Sequence, residues 1–180
     1  IFDALSAVDL DWARVTVLPS DERWVPEASD HSNARLIRER LLVGKAAAAQ
    51  FLPLYADGEG EAAVEPLAAQ LVPHLPFSVV LLGMGADMHT ASLFPGQPAL
   101  RPENRRTKDQ PLFFVKMSGL EPKLPRMTLT VPALAAAQRL HIVITGAEKR
   151  AALEEAQRLN DPFQAPIAGV LAGATVHWAD

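Results

Sequence analysis

The stretch Val79-Val80-Leu81-Leu82-Gly83-Met84-Gly85-Ala86-Asp87-Met88-His89-Thr90-Ala91-Ser92-Leu93-Phe94-Pro95 decides the fold. Val79 to Leu82 is a continuous apolar run, which suits a strand covered on both faces, as parallel strands are. Two glycines and then polar groups follow, so Asp87 and His89 lie beyond the carboxyl end of a sheet strand, where open α/β sheets bind ligands. Gly83 and Gly85 permit positive φ or close approach of a ligand to the backbone. Residues at i and i+2 do not face each other on a helix, so a partnership of Asp87 with His89 requires the irregular loop the glycines allow. In such a pair the carboxylate holds the imidazole tautomer and the other ring nitrogen acts as a base. The plainer alternative is a Gly-x-Gly turn beside a hydrogen-bonded surface histidine.

Working outward, β-branched and apolar segments alternate with Ala/Leu/Arg/Glu-rich stretches of helical spacing, the signature of βαβ units around a parallel sheet. Strands are expected at Val15 to Leu18, Ser78 to Leu82, Leu112 to Lys116, Met127 to Val131, His141 to Thr145 and Thr175 to Trp178, with Phe51 to Tyr55 a weaker seventh. Ile142 to Ile144, like Val79 to Leu82, reads as covered on both faces. Ser32 or Asp30 can cap a helix through Ala34, Ile37 and Leu41. Glu61 to Leu71 and Glu148 to Leu159 read as two further amphipathic helices, and Pro95 to Pro111 as a long surface loop. There is no internal repeat and no low-complexity linker. Residues 1–180 therefore read as a single α/β domain.

The 180 residues carry 17 Lys+Arg and 21 Asp+Glu, a formal net charge of −4, and 49% are apolar. That is enough to bury a core, and a disordered chain is excluded as the main state. The negative balance and the lack of a basic cluster argue against a nucleic-acid partner, whose affinity rests on phosphate neutralisation. Small anionic ligands need only a local positive pocket. No apolar stretch approaches the roughly 20 residues of a membrane span, so no membrane partner is expected. The absence of cysteine removes disulfides, thiolate metal sites and a cysteine nucleophile, and fits a reducing, cytoplasmic setting.

Three cations join the central stretch as candidates. Arg23, in Ser20-Asp21-Glu22-Arg23-Trp24, follows a strand at the same sheet edge and could clamp a phosphate or carboxylate bidentately; the alternative is a salt bridge to Asp21 or Glu22 on a solvated turn. Arg126 begins a strand. Lys149, one turn into a helix after Gly146, can place its ammonium near an anion at that helix terminus. Taken singly, residues such as Arg126 and Lys149 are more often ordinary surface charges. His31, His74, His141 and His177 read as structural or solvated.

Together Asp21-Glu22-Arg23, Ser32-Asn33-Ala34-Arg35-Leu36, the run Leu82 to Pro95, Pro125-Arg126-x-Thr128-Leu129-Thr130 and Gly146-x-x-Lys149 resemble the 6-phosphogluconolactonase family, in that family's order, and the ending Trp178-x-Asp180 is also similar. The resemblance implies the Rossmann-like three-layer fold shared with glucosamine-6-phosphate deaminase and ribose-5-phosphate isomerase. It implies hydrolysis of 6-phospho-D-glucono-1,5-lactone to 6-phosphogluconate in the pentose phosphate pathway, with a small phosphosugar lactone as partner. By the same resemblance His89 is the base and Asp87 orients it. Arg23, Arg126 and Lys149 form the cationic pocket, and Gly83 and Gly85 line the substrate. No metal is expected, because no second His or thiol accompanies His89 at ligand spacing, and no cofactor, because the hydrolysis is not a redox reaction.

Two departures stand out. The family carries Gly where this chain has Met88, which implies either an unstrained backbone there or a side chain packed beside the substrate. The family also has a Ser-Gly-Gly-x-Thr-Pro-like phosphate loop, and this sequence begins downstream of it, with Ile1 to Ser6 resembling the tail of the following helix. The expectation is a fragment, N-terminally truncated, whose bare sheet edge and apolar side chains make it unstable or aggregation-prone unless the missing segment is supplied or fused. Fusion to a glucose-6-phosphate dehydrogenase would keep the activity. Two rival functions are a glucosamine-6-phosphate deaminase/isomerase, which by resemblance uses an acidic residue where Phe94 stands, and a non-catalytic sugar-phosphate sensor, which would need the anion clamp but not His89 and Asp87.

Overall fold

Strands and helices alternate along the chain largely as the residue pattern predicts, in a computed structural model that describes residues 1–104, 106–107, 109–116 and 124–180. In chain order these are α1 (Phe2–Ser6), β1 (Thr16–Val17), β2 (Asp21–Arg23), α2 (Asn33–Arg40), β3 (Gln50–Phe51), α3 (Gly60–Leu71) and β4 (Val80–Leu82). Then follow β5 (Leu112–Val115), β6 (Arg126–Leu129), α4 (Val131–Ala135), β7 (Leu140–Thr145), α5 (Ala147–Leu159) and β8 (Ala174–Ala179). The sheets are β1-β3, β2-β6-β5 and β4-β7-β8, and the β1–β3, β4–β7 and β7–β8 pairs are parallel. The packing groups into two compact units, Ile1–Gln70 with Phe114–Met127, and Leu71–Phe113 with Thr128–Asp180.

In the first unit, Ser32 caps α2 by accepting from the Arg35 amide, as its residue type favours. The helix turns Ile37 and Leu41 onto Trp12 and Ala46, and Phe2, Val15, Val17 and Phe51 close around them. Trp12 satisfies its indole N–H by donating to the Val8 carbonyl at 3.0 Å. A second apolar group forms where Trp24 meets Tyr55 and Phe114, with ring centroids 4.9 and 5.5 Å apart.

In the second unit β4 pairs with β7 in the register Val80↔Leu140 to Leu82↔Ile142, and β7 pairs in turn with β8 from Leu140↔Ala174 to Thr145↔Ala179. Helix α5 packs on β7 and on the short 3-10 turn Pro166–Val170, whose Ile167 is fully buried. It ends on Asn160 at φ 47°, whose amide donates to the Ala156 carbonyl, an αL cap.

Four expectations change. Val79 and Leu81 are 63% and 40% exposed while Val80 and Leu82 are buried, so β4 is covered on one face rather than two. A strand's side chains alternate, so Val79 and Leu81 share the less covered face. On β7, His141 and Val143 are likewise only half-buried, and His141 Nδ1 lies 3.0 Å from His177 Nε2. The strand expected at Met127 to Val131 stops at Leu129, because Thr130 caps a helix by accepting from the Ala133 amide and Pro132 fits its first turn. Asp21–Arg23, read as a charged turn, is a strand. Within Pro95 to Pro111 there are 3-10 turns at Pro98–Leu100 and Pro102–Asn104, and Arg105 and Lys108 of that expected loop lie outside the described residues. No helix among the described residues is long and apolar enough to cross a membrane.

Candidate active site

The loop that leaves β4 is closed by its own backbone. The Met88 amide donates to the Gly85 carbonyl and the Gly85 amide to the His89 carbonyl, both at 3.0 Å, while the Thr90 hydroxyl donates to the Gly83 carbonyl at 2.9 Å. That turn brings Asp87 and His89 onto one another. Asp87 Oδ1 lies 2.5 Å from His89 Nδ1 and also accepts the His89 amide at 3.2 Å. A carboxylate at Nδ1 keeps the ring proton there and leaves the Nε2 lone pair open, the arrangement a general base needs. The two side chains are 34% and 51% exposed, so water reaches them.

The two glycines play different parts. A Cβ on Gly85 would lie 2.2 Å from His89 Nδ1 and 2.5 Å from Asp87 Oδ1, so the absence of a side chain there is what lets the pair sit against the backbone. Gly85 thus makes room for the Asp87–His89 pair, and its amide donates to the His89 carbonyl. A Cβ on Gly83 would meet nothing within 4 Å, which leaves space for a ligand above that residue.

Met88 adopts φ 69°, so of the two sequence expectations the relaxed backbone is overturned. A non-glycine residue in this region costs about 1–2 kcal/mol. The loop holds it there by two hydrogen bonds, the Met88 amide to Gly85 and the Ile167 amide to the Met88 carbonyl at 3.2 Å. Strain kept in a turn beside a carboxylate–imidazole pair is the pattern expected where the geometry matters more than stability.

Lys149 belongs to the same unit. It stands in the first turn of α5, directly after β7 and Gly146 (φ 82°). Because β7 runs parallel to β4 as its neighbour, the loop carrying Asp87 and His89 and the turn carrying Lys149 leave the same carboxyl edge of one sheet.

Arg23 and Arg126 belong to the first unit, on β2 and at the start of β6, and the Trp24 amide donates to the Pro125 carbonyl at 2.7 Å. The Arg23 guanidinium is held by neutral oxygens: Nη1 donates to the His31 carbonyl at 3.0 Å and to Asn33 Oδ1 at 3.2 Å, while Nε is buried without a hydrogen-bond partner among the described residues. Arg126 Nη1 is 3.7 Å from Asp21 Oδ2, with side-chain exposures of 14% and 13%. Burial, and next the positive charge of Arg23, hold the Arg126 guanidinium below its ordinary range, with Asp21 pulling the other way. Two guanidiniums near one carboxylate leave an excess of positive charge that an oxyanion relieves.

Two supporting residues escape a reading of the sequence. Glu22, between two exposed-looking charges, is fully buried and accepts from the amides of Arg23, Asn33 and Ala34 and from the Ser32 hydroxyl. Desolvation raises its pKa, and those four donors oppose the rise. Asn33 accepts from Arg23 and donates Nδ2 to the Asp21 carbonyl at 2.7 Å, so it sets the position of the guanidinium. The only sequence signal for either was their place in the two motifs around Arg23 and Ser32. Among the described residues no three His, Asp or Glu side chains gather as metal ligands would.

A carboxylate–imidazole pair at the carboxyl edge of a parallel sheet is the arrangement of an α/β enzyme acting on a small ligand. The chain belongs to the glucosamine-6-phosphate isomerase/6-phosphogluconolactonase family, whose model matches residues 1–178. Among its relatives in that family are 6-phosphogluconolactonases. It is 41% identical over 189 residues to a 6-phosphogluconolactonase of Pseudomonas aeruginosa, covering 98% of this chain and 74% of that protein. It is 40% identical over 155 residues to one of Caulobacter vibrioides, covering 86% of this chain and 67% of that protein. The crystal structure of a 6-phosphogluconolactonase from Shewanella baltica superposes with a TM-score of 0.90 at 33% identity, over 99% of this chain and 78% of that one. A monomeric glucosamine-6-phosphate deaminase matches with a TM-score of 0.75 at 13% identity, over 95% of this chain and 74% of that one, and so shares the fold.

Proposed function

We propose that this protein hydrolyses 6-phospho-D-glucono-1,5-lactone to 6-phospho-D-gluconate in the pentose phosphate pathway, with a cytoplasmic setting that its cysteine-free composition suits. The observation that carries the reading is the 2.5 Å contact of Asp87 Oδ1 with His89 Nδ1, which leaves Nε2 as the base, in a chain 41% identical to a 6-phosphogluconolactonase. His89 Nε2 takes a proton from water as the water oxygen adds to the lactone carbonyl carbon. The negative charge that develops on the carbonyl oxygen needs a cation or donor, and Lys149 at the same sheet edge supplies one. Collapse of the tetrahedral intermediate breaks the bond to the ring oxygen, which leaves as the 5-hydroxyl by taking the proton back from His89. The new carboxylic acid then releases a proton to solvent. The family resemblance assigns Arg23 and Arg126 to the 6-phosphate, and the open space above Gly83 can take part of a ligand.

The rival isomerase reading has no acid–base group to use at position 94, where the phenyl ring of Phe94 stacks on His89 at 4.8 Å. The role of Asp87 is tested by Asp87→Asn. An amide at that place no longer fixes the imidazole proton on Nδ1, and the expected result is a loss in kcat of about 10²–10⁴-fold with KM little changed. Acid release from freshly prepared lactone, corrected for spontaneous hydrolysis, measures it. An unchanged kcat would remove Asp87 from the mechanism.

A further inference from the structure

The hydrogen bond from Asp87 leaves one freedom to His89. A ring bonded through Cβ and hydrogen-bonded at one nitrogen can still rock by coupled turns about its Cα–Cβ and Cβ–Cγ bonds while that contact is kept, and such a motion swings Nε2 across the space where the water must sit. The plane of the imidazole therefore needs a second constraint. The structure supplies it as the ring of Phe94, stacked on His89 with centroids 4.8 Å apart and planes 30° from parallel.

The chain takes trouble to bring that ring back. Thr90 and Leu93 close a tight reversal, with the Leu93 amide donating to Thr90 at 2.9 Å and the Thr90 amide to Leu93 at 3.3 Å. Ala91 turns the corner at φ 49°, in the left-handed region an alanine seldom enters. Ser92 is fully buried and its amide donates to Thr128 Oγ1 at 3.2 Å, while Leu93 is fully buried beside it. On the far side the Gln97 amide donates to the Phe94 carbonyl at 3.2 Å and the Gly96 amide to the Phe163 carbonyl at 2.8 Å. The backbone of Phe94 is thus fixed on both sides. With Asp87 on its Nδ1 edge, Gly85 close against that same edge and Phe94 across one face, the imidazole keeps only the Nε2 side for chemistry.

We infer that Phe94 is a positioning residue for the hydrolysis, holding the plane of His89 so that Nε2 points at the attacking water; this rests on the reading of His89 as the base. The benzyl side chain does nothing chemical itself. Its flat face acts on the ring plane, and an aliphatic side chain of similar volume gives packing without that face. A displacement of the base by even about 1 Å can cost on the order of 10²-fold in rate.

The test is steady-state kinetics of lactone hydrolysis by wild type, Phe94→Leu, Phe94→Tyr and His89→Ala, with rates expressed per folded molecule from a thermal melt of each. The expected result is a fall in kcat of about tenfold or more for Phe94→Leu, with KM within about twofold of wild type, and recovery to near wild-type kcat in Phe94→Tyr, since misplacement of a base acts on the chemical step and not on binding. A wild-type kcat in Phe94→Leu while His89→Ala is inactive would overturn the inference and leave the base reading intact. Phe94→Tyr as slow as Phe94→Leu would overturn it too, because the flat face would then not be what matters. Wild-type turnover in His89→Ala would refute the base reading, and the inference with it.

Discussion

Gly85→Ala is expected to lose about 10²–10⁴-fold in kcat, the share that a positioned general base contributes, while the protein still folds. The added Cβ would stand 2.2 Å from His89 Nδ1, 2.4 Å from Cε1 and 2.5 Å from Asp87 Oδ1, distances no carbon tolerates. Something must move, and the two polar side chains are the parts free to do so, being 34% and 51% exposed. They would swing toward solvent and part from one another. Gly85 does not take the left-handed φ that an alanine would resist, so the substitution adds no strain of that kind to the backbone. Stability should therefore fall by much less than activity. Kinetics and a thermal melt on the same sample check this, and a variant with near wild-type kcat would show that the close approach of the pair to Gly85 is unimportant for the reaction.

Arg126→Met is expected to raise KM for the phosphorylated lactone by roughly 10–100-fold, which corresponds to the 1.5–3 kcal/mol typical of a hydrogen bond to a charged group, with kcat changed only a few-fold. The reason is the charge balance around it. Arg126 is mostly buried, faces the positive charge of Arg23 and has Asp21 at 3.7 Å, so its guanidinium is kept in place at a cost that a bound phosphate offsets. Methionine keeps the length and apolar stem of the side chain while removing the charge. The unphosphorylated lactone provides the control, since its KM should be nearly the same for wild type and variant. Equal KM values for the phosphorylated lactone would remove Arg126 from phosphate binding.

What the sequence reveals and what it hides divide along local and non-local lines. Asp87 and His89 are legible because the whole motif lies within one turn: a strand, two glycines and a pair two residues apart. Lys149 is legible for the same reason, as a cation in the first turn after a glycine. Arg23 is harder, because the strand that contains it exists only through pairing with residues around Arg126, about a hundred positions away in the chain. Read locally, Asp21-Glu22-Arg23 is a solvated charged turn. In the structure each of the three has a different fate: Asp21 approaches Arg126, Glu22 turns inward to bind the start of α2, and Arg23 is held by Asn33 and His31. Phe94 is hidden for another reason. Its spacing from His89 suggests no contact, and the stack depends on Ala91 entering a left-handed conformation that residue type disfavours. The expected cover on both faces of β4 fails because an apolar run shows that a strand can be buried on both sides but not whether anything lies there, and Leu81 is left 40% exposed.

Whether His89 is the base for lactone hydrolysis is read most directly from the rate at which this 180-residue chain consumes freshly generated 6-phosphogluconolactone, against the spontaneous background and against the same chain carrying His89→Ala. With His89 as the base, the unaltered chain turns over well above background and the variant falls by about 10²–10⁴-fold while still folded. A variant that hydrolyses the lactone as fast as the unaltered chain would contradict that role.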